Sequence, residues 1–469
     1  MSWRQARSTE VTRFPLPGSK VAELGPVYAL IRETYEHLFR FAYRVVVTCL
    51  VAAFYIPHLA RMIPSARFKP GTGQRLGFLP REMLRQIRRQ DLVWLHASAA
   101  GEMVAAAPIV RALQQMAPEL GIALSTTNEE GMAMARRLLP GLRAVFYFPL
   151  DLPFITTRVL RRVRPRAFVM VEAEVWPNFL YDARRLGVRT VLTNGMVEPR
   201  SPMPYHGLPA PFYRFLLETI DVFGARDKTD ERNLLSWGIP GSRIRVTGSS
   251  KFDQMPAPAS VEETELLRRR LQIDDGRPCL VAGCTHPGEE LFCLDAFRLI
   301  RREIAAAFLV LAPMDVRRAQ SLIKVVRECS LSGRLWTEVP NRESYDVLVL
   351  DTMGELSRIY ATATLAFVGG SIMGDLPGHN PWEPLSQGKP VSYGPYMRQP
   401  ESDLLEQEGV AFRVSQPQQL AERFITLVRS AKTEALGNHI FELVERRRGA
   451  GKANAELILR VVSRDGSVA

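Results

Sequence analysis

From residue 91 onward, short apolar runs alternate with longer amphipathic stretches. LVWLH (92–96), IALST (122–126), AFVMV (167–171), VRTVLT (188–193), VFGAR (222–226) and RIRVTG (243–248) are separated by segments that open near Glu102 and Glu130. Runs this short and this continuously apolar predict strands buried on both faces, and the segments between them predict covering helices. The pattern pauses at DQMPAPAS (253–260), where closely spaced prolines break any helix or central strand and predict a linker. It then restarts with PCLVAG (278–283), AAFLVLAP (306–313), DVLVLD (346–351), LAFVGG (365–370), KPVSYG (389–394) and a VAFRV run near 410. The expected class is α/β, with two Rossmann-like parallel-sheet domains, 66–255 and 256–469, whose ligand cleft lies at the carboxyl ends of the strands.

The residues before 91 follow a different pattern. Phe41 to Ala60 reads FAYRVVVTCLVAAFYIPHLA, matching the ~20 residues that cross a bilayer, although Arg44 lies inside it and Pro57 near its end. Arg61, Arg67, Lys69, Arg75, Arg81, Arg85, Arg88 and Arg89 follow, against the single acid Glu82. An apolar run with a basic flank predicts an N-terminal anchor region over 1–65, its positive side in the cytoplasm. A helix lying in the interface or buried in the protein is the alternative.

Composition agrees with a multidomain globular chain: 469 residues, 46% hydrophobic and 23% charged. The net charge of +12 points to an anionic partner. Because the basic residues gather beside an apolar run and do not interleave with aromatics, a membrane or phosphorylated lipid is favoured and nucleic acid is not. The five cysteines form no CxxC pair or regular framework, so neither a zinc site nor a disulfide scaffold is expected. HExxH, P-loop and GxSxG motifs are missing as well.

Several strand-to-helix junctions carry chemistry-bearing residues. Glu102 follows His96 through Gly101 at a predicted helix start, where it is either a general base or a carboxylate favoured by the helix terminus. Glu172 and Glu174 end another strand, where close like charges raise one pKa or one acid serves as a cap. Lys251 precedes the linker and either stabilises developing negative charge or pairs with Asp253. Cys284 to Glu290 and Asp351 to Leu356 bridge strands to helices, and His286 is equally a hydrogen-bonded turn histidine. Gly369 to Pro395 combines a glycine-rich turn with His379, Asn380 and Glu383.

In this order the motifs resemble the 3-deoxy-D-manno-octulosonic acid (Kdo) transferases of lipopolysaccharide assembly. Trp94 to Glu102 matches W-I-H-x-x-S-x-G-E, Glu172 to Asn178 matches E-T-E-x-W-P-N, and Lys251 to Asp253 matches the end of G-N-x-K-F-D. Asn194 with Arg200 and Ser201, Thr285 to Glu290, Asp351 to Leu356 and Gly378 to Pro384 continue the likeness, which runs from about residue 75 to 435. The resemblance implies a GT-B fold with an N-terminal acceptor domain and a C-terminal domain for CMP-Kdo. It implies Glu102 as the base that deprotonates a lipid A precursor hydroxyl, with Glu172 and Lys251 supporting the transition state. Arg318, Met353, Gly354, Glu355, Asn380, Pro381, Trp382 and Glu383 would contact the CMP-sugar donor. It further implies displacement without a metal or other cofactor, at the cytoplasmic face of the inner membrane.

The chain departs from the pattern where the family has P-R-H-x-x-R. Here Pro313-Met314-Asp315-Val316-Arg317-Arg318 replaces an Arg-His pair with a thioether and an acid, and Met196 stands for a second cation. Alternatives are therefore a related transferase using another nucleotide sugar, or a membrane-bound pseudoenzyme.

Overall fold

The computed structural model describes residues 71–87, 91–172, 175–202, 210–273, 276–339, 344–399 and 401–463, with single positions between 38 and 49. They divide into two compact units, one ending at Thr247 and resuming at Lys452, the other spanning Gly248–Gly451.

The first unit is built on β1 (Leu92–His96), β2 (Gly121–Thr126), β3 (Val145–Tyr147), β4 (Ala167–Val171), β5 (Arg189–Gly195), β6 (Val222–Ala225) and β7 (Ile244–Val246). All pairings are parallel and the order is β3-β2-β1-β4-β5-β6-β7. The chain therefore leaves β1 on one side and returns on the other at β4, which makes the β1/β4 boundary the topological switch point. On one face Trp94 is fully buried, with the rings of Phe146, Phe168 and Phe179 at 5.2, 5.4 and 5.0 Å. Edge-on packing of this kind adds to the burial of large apolar area. On the other face the helix Ala100–Met116 buries Met103, Ala106, Val110 and Leu113. Ala455 and Ile458, from the last helix Ala450–Ser463, join that same cluster.

The second unit holds β8 (Cys279–Thr285), β9 (Phe308–Pro313), β10 (Gly333–Leu335), β11 (Val347–Val349), β12 (Leu365–Val368), β13 (Val391–Tyr393) and β14 (Ala411–Arg413). Its sheet is also parallel, in the order β10-β11-β9-β8-β12-β13-β14, so its switch point lies between β8 and β12. Within this unit Asp253 accepts hydrogen bonds from Gly449 N at 2.6 Å and Gly451 N at 2.5 Å, capping the last helix from the far end of the sequence. Arg448 reaches the carbonyls of Met255 and Pro256, so the Pro-rich stretch starts out strapped to the second unit.

The apolar runs predict every strand except β3 and β10. Both are three-residue edge strands, and β10 reads Gly-Arg-Leu, too short and too polar for periodicity to register. Most of the expected anchor lies outside the described residues, as do Arg61, Arg67, Lys69, Arg88 and Arg89 of its basic flank. Among the described residues no helix is long and apolar enough to cross a membrane. Tyr43, within the apolar run, donates to Asp151 Oδ2 at 3.1 Å and sets its ring 5.6 Å from Phe212.

Candidate active site

In the first unit the two candidate carboxylates flank the switch point. Glu102 sits in the first turn of the helix that follows β1, and Glu172 comes directly after β4, the strand beside it. The N-cap residue of that helix is Ala99, which has no side-chain oxygen to offer. Glu102 does the capping instead: Oε2 accepts the Ala99 N–H at 2.5 Å. A half-exposed carboxylate is thereby oriented at the carboxyl edge of the sheet.

Glu172 is buried and its backbone is left-handed, with φ 72°. Its N–H donates to Thr193 O at 2.9 Å, and Oε1 accepts from Asn194 Nδ2 at 3.1 Å. Asn194 is also buried and left-handed, and the β5–β6 register shifts between Leu192 and Gly195. A bulge next to a strained residue re-aims side chains at a strand end. Arg226 completes the surroundings by pairing with Asp230, Nε to Oδ2 at 2.8 Å. Burial works against the guanidinium charge, yet the hydrogen bond and charge of Asp230, with Asp227 and Glu172 adding, raise its pKa above the ordinary value. Glu174 lies outside the described residues.

His96, at the end of β1, is 1% exposed and stacks on Phe148 with ring centroids 4.1 Å apart. Trp176 Nε1–H donates to its Nε2 at 3.3 Å, which leaves the ring proton on Nδ1, facing Ser125 O at 3.2 Å. His96 and Trp176 therefore brace the β1 and β4 ends against each other. Lys251 belongs to the second unit, where it is exposed on the short turn Ser250–Gln254. The three side chains expected to act together thus divide between the units: Glu102 and Glu172 in one, Lys251 in the other.

In the second unit the junctions after β8 and β12 are clasped by one buried residue. The Glu289 carboxylate accepts four backbone N–H groups, those of His286 at 2.9 Å, Gly370 at 2.7 Å, Ser371 at 2.9 Å and Ile372 at 2.9 Å. Gly369 permits the approach, since a Cβ there would lie 2.4 Å from Cys284 O. Gly370 is left-handed and passes directly beneath His379, whose Cδ2 would be 2.9 Å from an added Cβ. His379 Nε2 meets His286 Nε2 at 2.8 Å, joining the two junctions a second time.

Two basic residues nearby, Arg317 and Arg318, are occupied. Arg318 bonds to buried Glu290 at 2.8 Å. Arg317 grips Asp315 through Nε at 2.8 Å and Nη2 at 2.9 Å, which holds the Asp315 carboxyl below its usual range. The acid that replaces a family cation is thus neutralised by its own neighbour.

Of the expected donor contacts, Met353 is 71% exposed and Gly354 is left-handed on the open junction after β11, with Glu355 at the start of the next helical turn. Asn380 is exposed and accepts the Trp382 N–H through Oδ1 at 3.0 Å, while Pro381 is buried. The Trp382 ring is buried, edge-on to Phe252 at 4.8 Å and beneath the Arg447 guanidinium at 4.8 Å, so only its backbone faces the junction chemistry. Burial raises the Glu383 carboxyl, with the Ser357 hydroxyl acting the other way. Burial also pushes the Cys284 thiol up to about 12, so it is no nucleophile. A cavity of about 460 Å³ opens beside Thr364 and Pro390, at the opposite, amino-terminal edge of this sheet. Among the described residues no three metal-ligating side chains come together. Sequence reasoning missed the Glu289 clamp and the histidine pair; the signal was present in T-H-x-x-E-E and G-H-N, but the contacts are between distant segments.

Two parallel sheets, each carrying polar motifs at its switch point, define a GT-B-like α/β architecture. The fold resembles the UDP-GlcNAc 2-epimerase of Neisseria meningitidis, with TM-score 0.54 and 15% identity over 80% of this chain and all of that one. A glycosyltransferase from Rickettsia africae is similar at TM-score 0.52 and 9% identity, again over 80% of this chain and all of that one. Residues 71–254 match the family model described as 3-deoxy-D-manno-octulosonic-acid transferase. The transferase of that name from Haemophilus influenzae is 29% identical over 380 residues, 80% of this chain and 88% of the relative. The one from Bordetella pertussis is 30% identical over 315 residues, 65% of this chain and 71% of the relative. The chain belongs to the Kdo transferase family and is a glycosyltransferase.

Proposed function

We propose that this chain transfers Kdo from CMP-Kdo to a lipid A precursor at a membrane surface, without a metal. The observation that carries the reading is the placement of Glu102 and Glu172 on either side of the first sheet's switch point. Glu102, held by the Ala99 amide, takes the proton of the attacking acceptor hydroxyl as it approaches the anomeric carbon. Glu172, fixed by Asn194, and Lys251 stabilise charge in the transition state. The second unit takes the donor at its own switch point, between the β8 and β12 junctions. The acceptor's phosphates suit the basic segment 61–90, which would keep the enzyme on the cytoplasmic leaflet. A related nucleotide-sugar donor is the second reading, favoured by Met314 and Asp315; the closure of Asp315 onto Arg317 weakens it.

The test is replacement in a living cell. Expression in a Gram-negative strain depleted of its own Kdo transferase is expected to restore Kdo on lipid A, read by mass spectrometry of the extracted glycolipid. A correctly expressed chain that leaves lipid A bare of Kdo refutes the reading.

A further inference from the structure

We propose that His286 and His379 form a shared-proton pair that gains one positive charge when the phosphate of the nucleotide docks at the carboxyl edge of the second sheet. The inference rests on the donor reading above and adds the source of the charge that the donor meets.

The geometry fixes the proton inventory. The two Nε2 atoms are 2.8 Å apart, the ring planes are within 3° of parallel, and the centroids are 5.1 Å apart. The nitrogens therefore point at each other along the line joining the rings, as an in-line N–H···N bond requires. One Nε2 carries a hydrogen and the other does not. In the neutral pair the donor ring has a bare Nδ1 and the acceptor ring has Nδ1–H. One proton from solvent onto the bare Nδ1 gives the pair a single positive charge and keeps the central bond, which becomes charge-assisted and stronger. A second proton would put hydrogen on both Nε2 atoms and break it. Neither Nδ1 has a hydrogen-bond partner among the described residues, and both rings are only half-buried, so the added charge can be met by a ligand.

The surroundings make that charge useful. Arg318 is neutralised by Glu290 and Arg317 by Asp315, so neither offers an unpaired charge to a phosphate. Other charged or titratable groups on the packed elements are Glu289, Cys284, Glu383, Asp375 on the loop itself, and exposed Tyr396 and Arg398, whose backbone amides bond to Ser371 O and Pro377 O of that loop. Glu289 spends its charge on four amides, and the Cys284 thiol stays protonated. Burial and the neighbouring His286 hold His379 below the ordinary histidine range, with Glu289 opposing. Charge on His379 is thus disfavoured until an anion arrives. Glu289 also fixes the backbone on both sides of the pair, so the charge appears in a preorganised place.

Binding and protonation are then linked: a phosphate that favours the charged pair draws in a proton, and its affinity falls as pH rises. The experiment is titration calorimetry of the full chain with CMP, and with cytidine as the phosphate-free control, in buffers of different ionisation enthalpy between about pH 7 and 8.5, above the second phosphate ionisation at roughly 6. CMP is expected to bind with uptake of up to about one proton, its affinity falling by up to about tenfold per pH unit, and cytidine with no uptake. His286→Gln and His379→Gln are each expected to bind CMP without uptake and with affinity nearly flat in pH. CMP binding to the wild-type chain without proton uptake overturns the pair alone, as does uptake that persists in both variants. No CMP binding at any pH overturns the donor reading together with it.

Discussion

Asn194 donates its side-chain amide to Glu172 across the ends of β5 and β4 at 3.1 Å, and both residues hold left-handed backbone, with φ of 53° and 72°. Each such residue costs about 1–3 kcal/mol relative to relaxed backbone, so two in contact are kept only where the surrounding structure over-determines them. What the strain obtains is a buried carboxylate locked at the switch point of the first unit.

Glycine and alanine at position 194 separate the backbone from the amide. Asn194→Gly accepts φ 53° but loses the bond to Glu172, and is expected to cut transfer activity about tenfold while leaving the melting temperature within a few degrees. Asn194→Ala loses both and is expected to melt lower than the glycine variant. Equal activity in Asn194→Gly and wild type would show that the amide positions nothing.

Glu289→Ala is expected to be among the most destabilising substitutions in the second unit. It leaves four backbone N–H groups without their acceptor, two of them in the fully buried stretch at Gly370 and Ser371, at a cost of several kcal/mol in all, roughly 1–3 per group left unsatisfied. Thermal denaturation and proteolysis of the 371–377 loop read the effect. A melting temperature equal to wild type would mean that water replaces the carboxylate.

The fully buried Asp151 carries a pH signature. Burial raises its pKa to about 6, against the opposing amide bonds from Asn178 and Phe179 and the Tyr43 hydroxyl. The folded value exceeds the ordinary 3.8, so the native state binds the proton more tightly. The stability that this proton provides is complete below the unfolded pKa and is lost as pH rises through about 6. Relative to Asp151→Asn, the wild-type chain is expected to lose up to about 3 kcal/mol between those limits, measured by denaturant unfolding. A difference that stays flat across this window contradicts the assignment.

Arg317 is expected to matter for the donor only while Asp315 is present. Arg317→Ala uncovers an acid beside the edge proposed to take the nucleotide and is expected to raise the donor KM several-fold, and Asp315→Ala in the same chain to restore it. The cycle is read in steady-state kinetics. A double variant as impaired as Arg317→Ala would place Arg317 itself on the donor.

The parts of this molecule that were legible in the sequence are those set by local pattern. Runs such as 92–96 and 167–171 show as strands because both faces are buried, and the Glu102 cap was foreseeable from its place at a helix start. Right-handed crossovers narrow the strand orders that alternating strands and helices can adopt, but the order and the switch points are set by the pairing itself. What could not be read is pairing across the sheet. His286 and His379 were each visible as turn residues, but their bond joins two junctions that only the β8–β12 pairing brings together. The same holds for Glu289 and for Asp253, whose partners lie far along the chain. Trp382 sits inside a motif expected to contact the donor, yet its ring is core, because Phe252 and Arg447 enclose it from segments distant in the sequence.

The most direct measurement is mass spectrometry of a tetraacyl lipid A precursor incubated with the full chain and CMP-Kdo, beside Glu102→Ala and Glu102→Gln and a panel of other nucleotide sugars. The expected result is a gain of one or more Kdo units with CMP-Kdo alone, lost in both variants while they remain folded and still bind CMP. Transfer of a different sugar, or Kdo transfer that survives removal of the Glu102 carboxylate, would contradict the account.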